Sequence, residues 1–329
     1  MAVVSVALLL ALLLVLGSGA LTADRLLAPS GRWWVLAMAF VPAALLGYLL
    51  AAVLLALVRR GRGTGLRRVA SGGLVVCLVG ALLHLAWLLP SFAGSHASGR
   101  PDVTVLTFNL LKGQADVADL AALVRRERPG VVVLTEATPE AVRGLERARA
   151  VGPGSRLPER GGAPDNGVQG TVAFSRWRVT PQAHLPLQHN GYRMRVQAPA
   201  PFVLTALHVG QPAYSLSSWQ RDLGLLDTST RAVRGPQLLA GDFNATLDHG
   251  PLRRLLGAGL QDSAQQANAG WQPTWPSPGA VVVHGVRLPF GLFAIDHVLL
   301  SSAFSAVSTE TFRVPGSDHL ALVARLRMR

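Results

Sequence analysis

Cysteine occurs once in the 329 residues, at Cys77, and lysine once, at Lys112. A single thiol excludes an internal disulfide framework and a thiolate metal site. The scarcity of lysine among 31 basic residues reads as composition, not mechanism. Internal repeats and low-complexity tracts are also missing, which excludes solenoid and filament architectures. Aromatic residues make up only 6 % of a chain that is 50 % hydrophobic, so its positive mean hydropathy comes from aliphatic side chains. Those sit mostly at the front, in stretches that lack charge altogether: residues 2–21, 33–58 and, apart from the titratable His84, 69–92.

Each uncharged stretch is long enough to cross a hydrocarbon core of roughly 30 Å as a helix. Three membrane helices are therefore expected within residues 1–92. The first could also be a cleaved signal peptide, but it has no basic start, and residues 17–20 form a weak cleavage site. We expect it to be retained. Trp33, Trp34 and Trp87 fall near segment ends, where amphipathic rings favour the interface. Pro42 is tolerable inside a membrane helix if its neighbours satisfy the freed carbonyl. His84 reads as a helix-packing or water-facing group. Arg59, Arg60, Arg62, Arg67 and Arg68 crowd the connection between the second and third stretches. The positive-inside bias places that loop in the cytoplasm and the chain after Ser91 outside it. The expected location is thus a multi-pass protein of the cell membrane with an extracytoplasmic C-terminal domain.

The net charge of +13 divides between the two parts. Residues 1–100 carry eight arginines and one aspartate, so about half the basicity serves topology. The remainder is mildly basic, which is compatible with a polyanionic substrate without demanding one.

Residues 93–102, small, polar and punctuated by Pro and Gly, read as a linker. From 103 to 329 strand-like and helix-like patterns alternate, which implies an α/β domain with active groups at strand ends. Strands are expected at 103–109, 131–135, 171–175, 202–208, 238–242, 294–300 and 319–326. Helices are expected at 115–128, 139–150, 215–234 and 251–260, and a Gly/Pro-rich loop at 152–167.

Polar residues recur where these strands end. Asn109, Glu136 and His208 close three of them, Asp242 and Asn244 follow Gly241 in a fourth, Asp296 interrupts another, and Asp318-His319 introduces the last. Period-2 geometry turns Asp242 and Asn244 to the same side. Taken singly, each has a plain explanation, because strand ends are wet and an Asx turn suits the acid. Together they gather carboxylates, amides and imidazoles suited to orienting a water and holding a phosphate oxygen. Hard oxygen ligands without cysteine suit Mg²⁺ or Mn²⁺.

Phe108-Asn109, Thr135-Glu136, Leu207-His208, Gly241-Asp242-Phe243-Asn244, Ile295-Asp296-His297 and Ser317-Asp318-His319 stand in the order found in the endonuclease/exonuclease/phosphatase superfamily, which residues 103–329 resemble. With the apolar segments in front, the chain is similar to the bacterial membrane-anchored branch. The resemblance implies a four-layered α/β sandwich, two mixed β-sheets flanked by helices, preceded here by three transmembrane helices. It implies a divalent cation, Mg²⁺ or Mn²⁺, on Glu136 with Asn109 and Asp318 close by. It implies His319 as acid/base oriented by Asp296, His208 as donor to a phosphate oxygen, Asp242 as the group activating water, and Asn244 as oxyanion donor. Many relatives carry a second glutamate or a tyrosine before the mid-chain histidine; Asp165, Asn166 and Tyr192 are its candidates here. His297 reads as strand packing or a rim group, and His249 as a solvated loop residue. Trp271 and Trp275 read either as stacking or lipid-contacting groups or as packing under a long loop.

The function implied is metal-dependent hydrolysis of phosphodiesters, nuclease-like. The alternatives are the same site acting on a phospholipid headgroup or a small phosphate ester, and an inactive membrane scaffold. The bilayer is the one other partner expected; no protein partner is implied. No basic run with interleaved aromatics favours processive nucleic-acid binding, and no amphipathic lipid-inserting helix stands out.

Overall fold

A computed structural model describes residues 2–60, 63–94 and 97–329. Arg62 of the arginine-rich connection, and Ser95 and His96 of the 93–102 linker, lie outside the described residues. The chain forms two compact units, residues 1–90 with 248–250, and residues 91–247 with 251–329.

The first unit holds α1 (Ala2–Leu27), α2 (Arg32–Met38), α3 (Ala43–Arg59) and α4 (Thr64–Leu88). Helix α3 packs against both α1 and α4. Small residues permit the close approach: a Cβ on Gly47 would lie 2.2 Å from the Ser18 hydroxyl, and one on Gly80 would enter the Tyr48 ring. Thr22 Oγ1 lies 2.9 Å from Tyr48 Oη and 3.0 Å from His84 Nε2, so His84 is a buried packing group. Two helices, Val4–Leu27 and Thr64–Ser91, are long and apolar enough to cross a membrane. The middle stretch is not one straight helix, because α2 and α3 meet at a 77° bend. Pro42 accounts for the break: it lacks an N–H and its ring opposes the carbonyl four residues back, at Met38, where α2 ends. The turn between them tightens to three-residue spacing, with Phe40 N donating to Ala37 O and Val41 N to Met38 O.

In the second unit the strands are β1 (Val103–Asn109), β2 (Val131–Thr135), β3 (Glu159–Ala163), β4 (Thr171–Ser175), β5 (Val179–Leu185), β6 (Gly191–Val196), β7 (Phe202–His208), β8 (Gln237–Asp242), β9 (Leu260–Asp262), β10 (Val282–Val283), β11 (Val286–Arg287), β12 (Asp296–Ser301), β13 (Phe304–Arg313) and β14 (Leu320–Met328). Between them lie α5 (Val117–Glu127), α6 (Pro139–Arg147), α7 (Leu216–Arg231), α8 (Gly250–Gly257) and α9 (Ser263–Gln266). One six-stranded sheet is ordered β13-β14-β1-β2-β4-β3 and the other β5-β6-β7-β8-β12-β9. Both are mixed, since β1–β2 and β7–β8 are parallel and their neighbours antiparallel.

Alternation along the strands builds the layers. Val105, Val133, Leu204, Ala240 and Val298 face into the core between the sheets. Leu106, Phe108, Val132 and Leu134 face the opposite way, onto Leu120, Val124, Val142 and Leu145 of α5 and α6. On the second sheet the same parity leaves buried Leu207, Leu239 and Leu299 for its outer face, where α7 and α8 supply Trp219, Leu223, Leu252 and Leu255. Local signals set the helix ends: Asp116, Thr138 and Ser215 each cap an N-terminus by accepting from a backbone N–H three residues on.

The strands expected from apolar runs are all present, with ends shifted by a few residues. The strands not expected are β3, β5, β6, β9, β10, β11 and β13. Strands β3, β5, β6 and β13 lie at or beside the edge of a six-stranded sheet, and their sequences mix Arg, Glu, Gly, Pro and Ser because one face is wet. Strand β9 is only three residues long and takes Leu260 from the end of the expected helix, which Gly257 and Gly259 stop early.

Candidate active site

Extending the alternation to the strand ends predicts what converges. Asn109, His208, Asp242 and Asp296 share parity with the inter-sheet core residues, so all four close the same end of the cleft between the sheets. Register then makes Asp242 the centre, paired with His208 on β7 and with Asp296 on β12. His319 breaks the parity because it precedes β14, in a turn where its N–H donates to Ser317 Oγ at 3.0 Å.

Asn109 ties the two sheets together. Its Nδ2 donates to Glu136 Oε1 at 3.2 Å and to Asp242 Oδ2 at 3.0 Å. Glu136 adopts φ +50° just beyond β2, and its Oε2 accepts from Lys112 N at 2.9 Å. Asp242 Oδ1 accepts from Asn244 N at 2.8 Å, and Asn244 Nδ2 donates to Val209 O at 3.0 Å. His319 Nδ1 lies 2.7 Å from Asp296 Oδ2, while its Nε2 is 3.8 Å from Asp242 Oδ2. His208 Nε2 approaches the same Asp242 oxygen at 3.6 Å. Asp318 Oδ2 accepts from Trp275 Nε1 at 2.9 Å. All eight residues expected at the site therefore gather there.

Electrostatics differentiates these groups. Burial, then the facing Asp296 charge, pushes the Asp242 carboxyl up to about 7. Burial alone would lower His319, but the Asp296 carboxylate outweighs it and holds the imidazolium up to about 10. His208 is driven well below its usual range by burial and by the His189 and His319 charges. Its Nδ1 faces the Val168 carbonyl at 3.2 Å; a carbonyl only accepts, so the proton sits on Nδ1 and the neutral ring offers a lone pair at Nε2. Burial also raises Glu136.

Some expectations fare differently. Of the candidates for the second acidic or tyrosine residue, Asp165 accepts from Gly167 N in a local turn, and Tyr192 lies against His184 with ring centroids 5.1 Å apart and tilted by 35°. His189 is what packs on His208, with ring centroids 4.5 Å apart. The β6–β7 register continued by one residue sets Asn190, the residue after His189, opposite His208, whose N–H donates to Asn190 O at 3.1 Å. His297 is a packing group, held between Asp262 Oδ2 and Ala245 O at 2.9 Å each. His249 is buried, not solvated. Trp275 stacks on Phe293 under the loop, whereas Trp271 is exposed. The supporting groups Thr274, whose Oγ1 accepts from Ile295 N and Asp296 N at 3.0 Å, and Ser317, whose Oγ donates to Asn109 O at 2.7 Å, carry no signal in the sequence beyond being small and polar.

The donor set suits a hard divalent cation. Asp296 Oδ1 and Asp318 Oδ1 are buried without a hydrogen-bond partner, and ligand atoms of Asp242, Asp296 and His319 lie within 4.8 Å of one another. This cluster differs from the Glu136, Asn109 and Asp318 set that the resemblance implies for the cation. In that set both Glu136 oxygens and Asn109 Oδ1 accept hydrogen bonds, and Asp318 Oδ1 is the oxygen left unpartnered.

This fold and site define a class, the phosphoester hydrolases built on two packed mixed sheets. Residues 106–319 match the family model described as Endonuclease/Exonuclease/phosphatase family, and the chain belongs to that family. Among solved structures it is similar to an endonuclease/exonuclease/phosphatase from Beutenbergia cavernae DSM 12333, at 21 % identity and a TM-score of 0.54, over 70 % of this chain and 72 % of that one. It is also similar to D. rerio TDP2 complexed with a single-strand DNA product, at 16 % identity and TM-score 0.52, over 69 % of this chain and 99 % of that one. A functionally unknown conserved protein from Enterococcus faecalis V583 aligns at 16 % identity and TM-score 0.51, over 69 % of this chain and all of that one. No curated protein matches the chain.

Proposed function

We propose that residues 103–329 form a divalent-metal-dependent phosphoester hydrolase, tethered to the cell membrane by residues 1–92. The observation that carries this reading is the surrounding of one oxygen, Asp242 Oδ2, by Asn109 Nδ2 at 3.0 Å, His208 Nε2 at 3.6 Å and His319 Nε2 at 3.8 Å. A carboxylate in that setting orients a water and accepts its proton. Its raised basicity suits it to a proton transfer near neutral pH. The protonated His319, held by Asp296, donates from Nε2 to a phosphoryl or leaving-group oxygen. Asn244 spends one Nδ2 hydrogen on Val209 and keeps the other for an oxyanion, a contact worth up to ~3–4 kcal/mol. His208 is neutral with a lone pair at Nε2, so donation to a phosphate oxygen requires it first to take up a proton.

Glu136, with Asn109 and Asp318 beside it, would hold Mg²⁺ or Mn²⁺. The cation, when bound, supplies Lewis-acid polarisation of the phosphoryl oxygen. Substrates of two kinds fit this chemistry, a nucleic-acid phosphodiester and a phosphate ester on a lipid. Similarity to a TDP2 crystallised with a DNA product supports the first. The test is turnover by the detergent-solubilised full chain against DNA, RNA, phospholipid and a soluble aromatic phosphodiester, with Mg²⁺, with Mn²⁺ and in excess chelator. Metal-dependent release of phosphate or alcohol from any of them supports the reading. Turnover undiminished by chelator, or none on any substrate, removes it.

A further inference from the structure

From Ala97 onward, six large apolar side chains are exposed among the described residues, and five of them lie in one connection, residues 267–295 between α9 and β12. Trp271, Val282, Val283, Val286 and Phe290 are each 46–66 % exposed. The strands β10 and β11 are two residues each, joined through His284 and Gly285 at φ +48° and +82°. That is the left-handed pair of a tight hairpin turn, and it sets Val283 opposite Val286 at the tip. A hairpin this short is not stable on its own in water, and presenting three valines to solvent gains nothing for a soluble enzyme.

The base of this hairpin is fixed to the active site. Gly279 N donates to Leu288 O at 2.7 Å, and Ser277 N to Asp318 O at 2.6 Å. Trp275 binds the Asp318 carboxylate, and Thr274 receives the Asp296 N–H. A cleft of about 270 Å³ lined by Ser277, Gly279, Arg313, Ser317 and Asp318 opens beside it.

Two observations name what covers the hairpin. The sequence holds no aspartate or glutamate between Asp262 and Asp296, while His284 sits at the tip, Arg287 pairs with Val282 below it and donates from Nη1 to Gly279 O at 2.8 Å, and Arg313 lines the cleft. Exposed valine, phenylalanine and tryptophan with arginine and without acid is the composition of an interfacial segment facing anionic headgroups. The start of the connection is also tied to the chain as it leaves the last apolar helix. Ser91, three residues beyond α4, accepts from Gly270 N at 2.8 Å, and Gly94 O accepts from Asn268 Nδ2 at 3.0 Å. Trp271 follows directly.

We propose that the 267–295 connection is a membrane-contact lip which seats the mouth of the active site on the bilayer surface, so that the substrate is a phosphate ester carried on a lipid headgroup. The substrate half rests on the hydrolase reading above; the contact half does not. A spin label at Val283→Cys, in full-length Cys77→Ala protein reconstituted into phosphatidylcholine–phosphatidylglycerol vesicles, tests the contact. Label at the exposed Glu140→Cys on α6 is the reference. At 283 collisions with oxygen should exceed those with a water-soluble nickel complex; at 140 the order should reverse. A label at 283 as accessible to nickel as the one at 140, or shielded from both reagents as under a protein partner, overturns the proposal. The second arm is the triple variant Val282→Asp, Val283→Asp, Val286→Asp. Its hydrolysis of vesicle phospholipid should fall about tenfold or more, the loss of a local-concentration effect, with turnover of a soluble aromatic phosphodiester unchanged. Equal losses on both substrates would make the hairpin a structural element only. If the parent protein hydrolyses neither, the hydrolase reading fails, and the label still decides the contact.

Discussion

Asp242 and Asp296 face each other across an antiparallel pair, an arrangement that normally destabilises a sheet. His319 relieves it by placing an imidazolium against both, and this coupling governs the predictions at single residues. Asp296→Asn and His319→Ala should each lower kcat at least roughly a hundredfold. The double variant should be little worse than His319→Ala, because the pair acts as a unit. Additive losses, in protein shown folded by circular dichroism, would count against the assignment. The pH profile follows from the same groups. Activity should fall as pH drops through about 7, where Asp242 takes up a proton, and fall again toward about 10 as His319 loses one. Asp296→Asn removes the charge that raises both, so both limbs should move to lower pH; unmoved limbs would refute the coupling. His319 is raised in the folded protein, so its stabilising contribution is complete below about 6.5 and is lost as pH rises toward about 10. Glu136→Gln keeps shape and removes charge, so Mg²⁺ affinity measured by calorimetry should fall, and with it metal-stimulated turnover.

At the level of elements, β8 carries the most constraint. Its neighbour β7 runs so close that a Cβ on Gly241 would lie 1.9 Å from Leu207 O, and Gly241 adopts φ +147°. Gly241→Ala should therefore destabilise the second unit by about 3 kcal/mol or more. Thermal melting of the solubilised chain should drop by roughly 6 °C or more; an unchanged midpoint would mean the backbone relaxes freely there. The strand ends at Asp242, where Phe243 N donates to Ile295 O at 2.9 Å and Asn244 turns left-handed at φ +46°. That combination aims the acid into the cleft.

For the whole molecule, sidedness turns on one helix. With the bent α2–α3 pair, two or three helical segments are long and apolar enough to cross, yet on the membrane-tethered reading proposed above the side on which the second unit lies depends only on α4. Arg59 and Arg60 precede α4, and Arg67 and Arg68 lie in its first turns. If that end is cytoplasmic, one crossing delivers Ser91 outside. A reporter fused after Arg329 that works only in the cytoplasm should be silent; a bright one would reverse the topology.

How much of this was legible beforehand depends on the range of the interaction that decides it. Uncharged runs, β-branched strands, capped helices and the polar residues closing apolar strands are local patterns, written in residues a few positions apart, so the α/β alternation could be read from them, whereas the two-sheet sandwich and the roles of the polar residues were implied by the resemblance to the family. Edge strands such as β3, β5 and β13 are wet on one face and lack the apolar run that marks a central strand. The Pro42 bend depended on whether neighbouring helices satisfy the freed carbonyl, a question of packing. Only the tertiary structure set His189 against His208, gave His208 the Val168 carbonyl as partner, and placed Thr274 and Trp275 behind Asp296 and Asp318. Those contacts join residues 19 to 43 positions apart through sheet register and loop course, which no local pattern encodes.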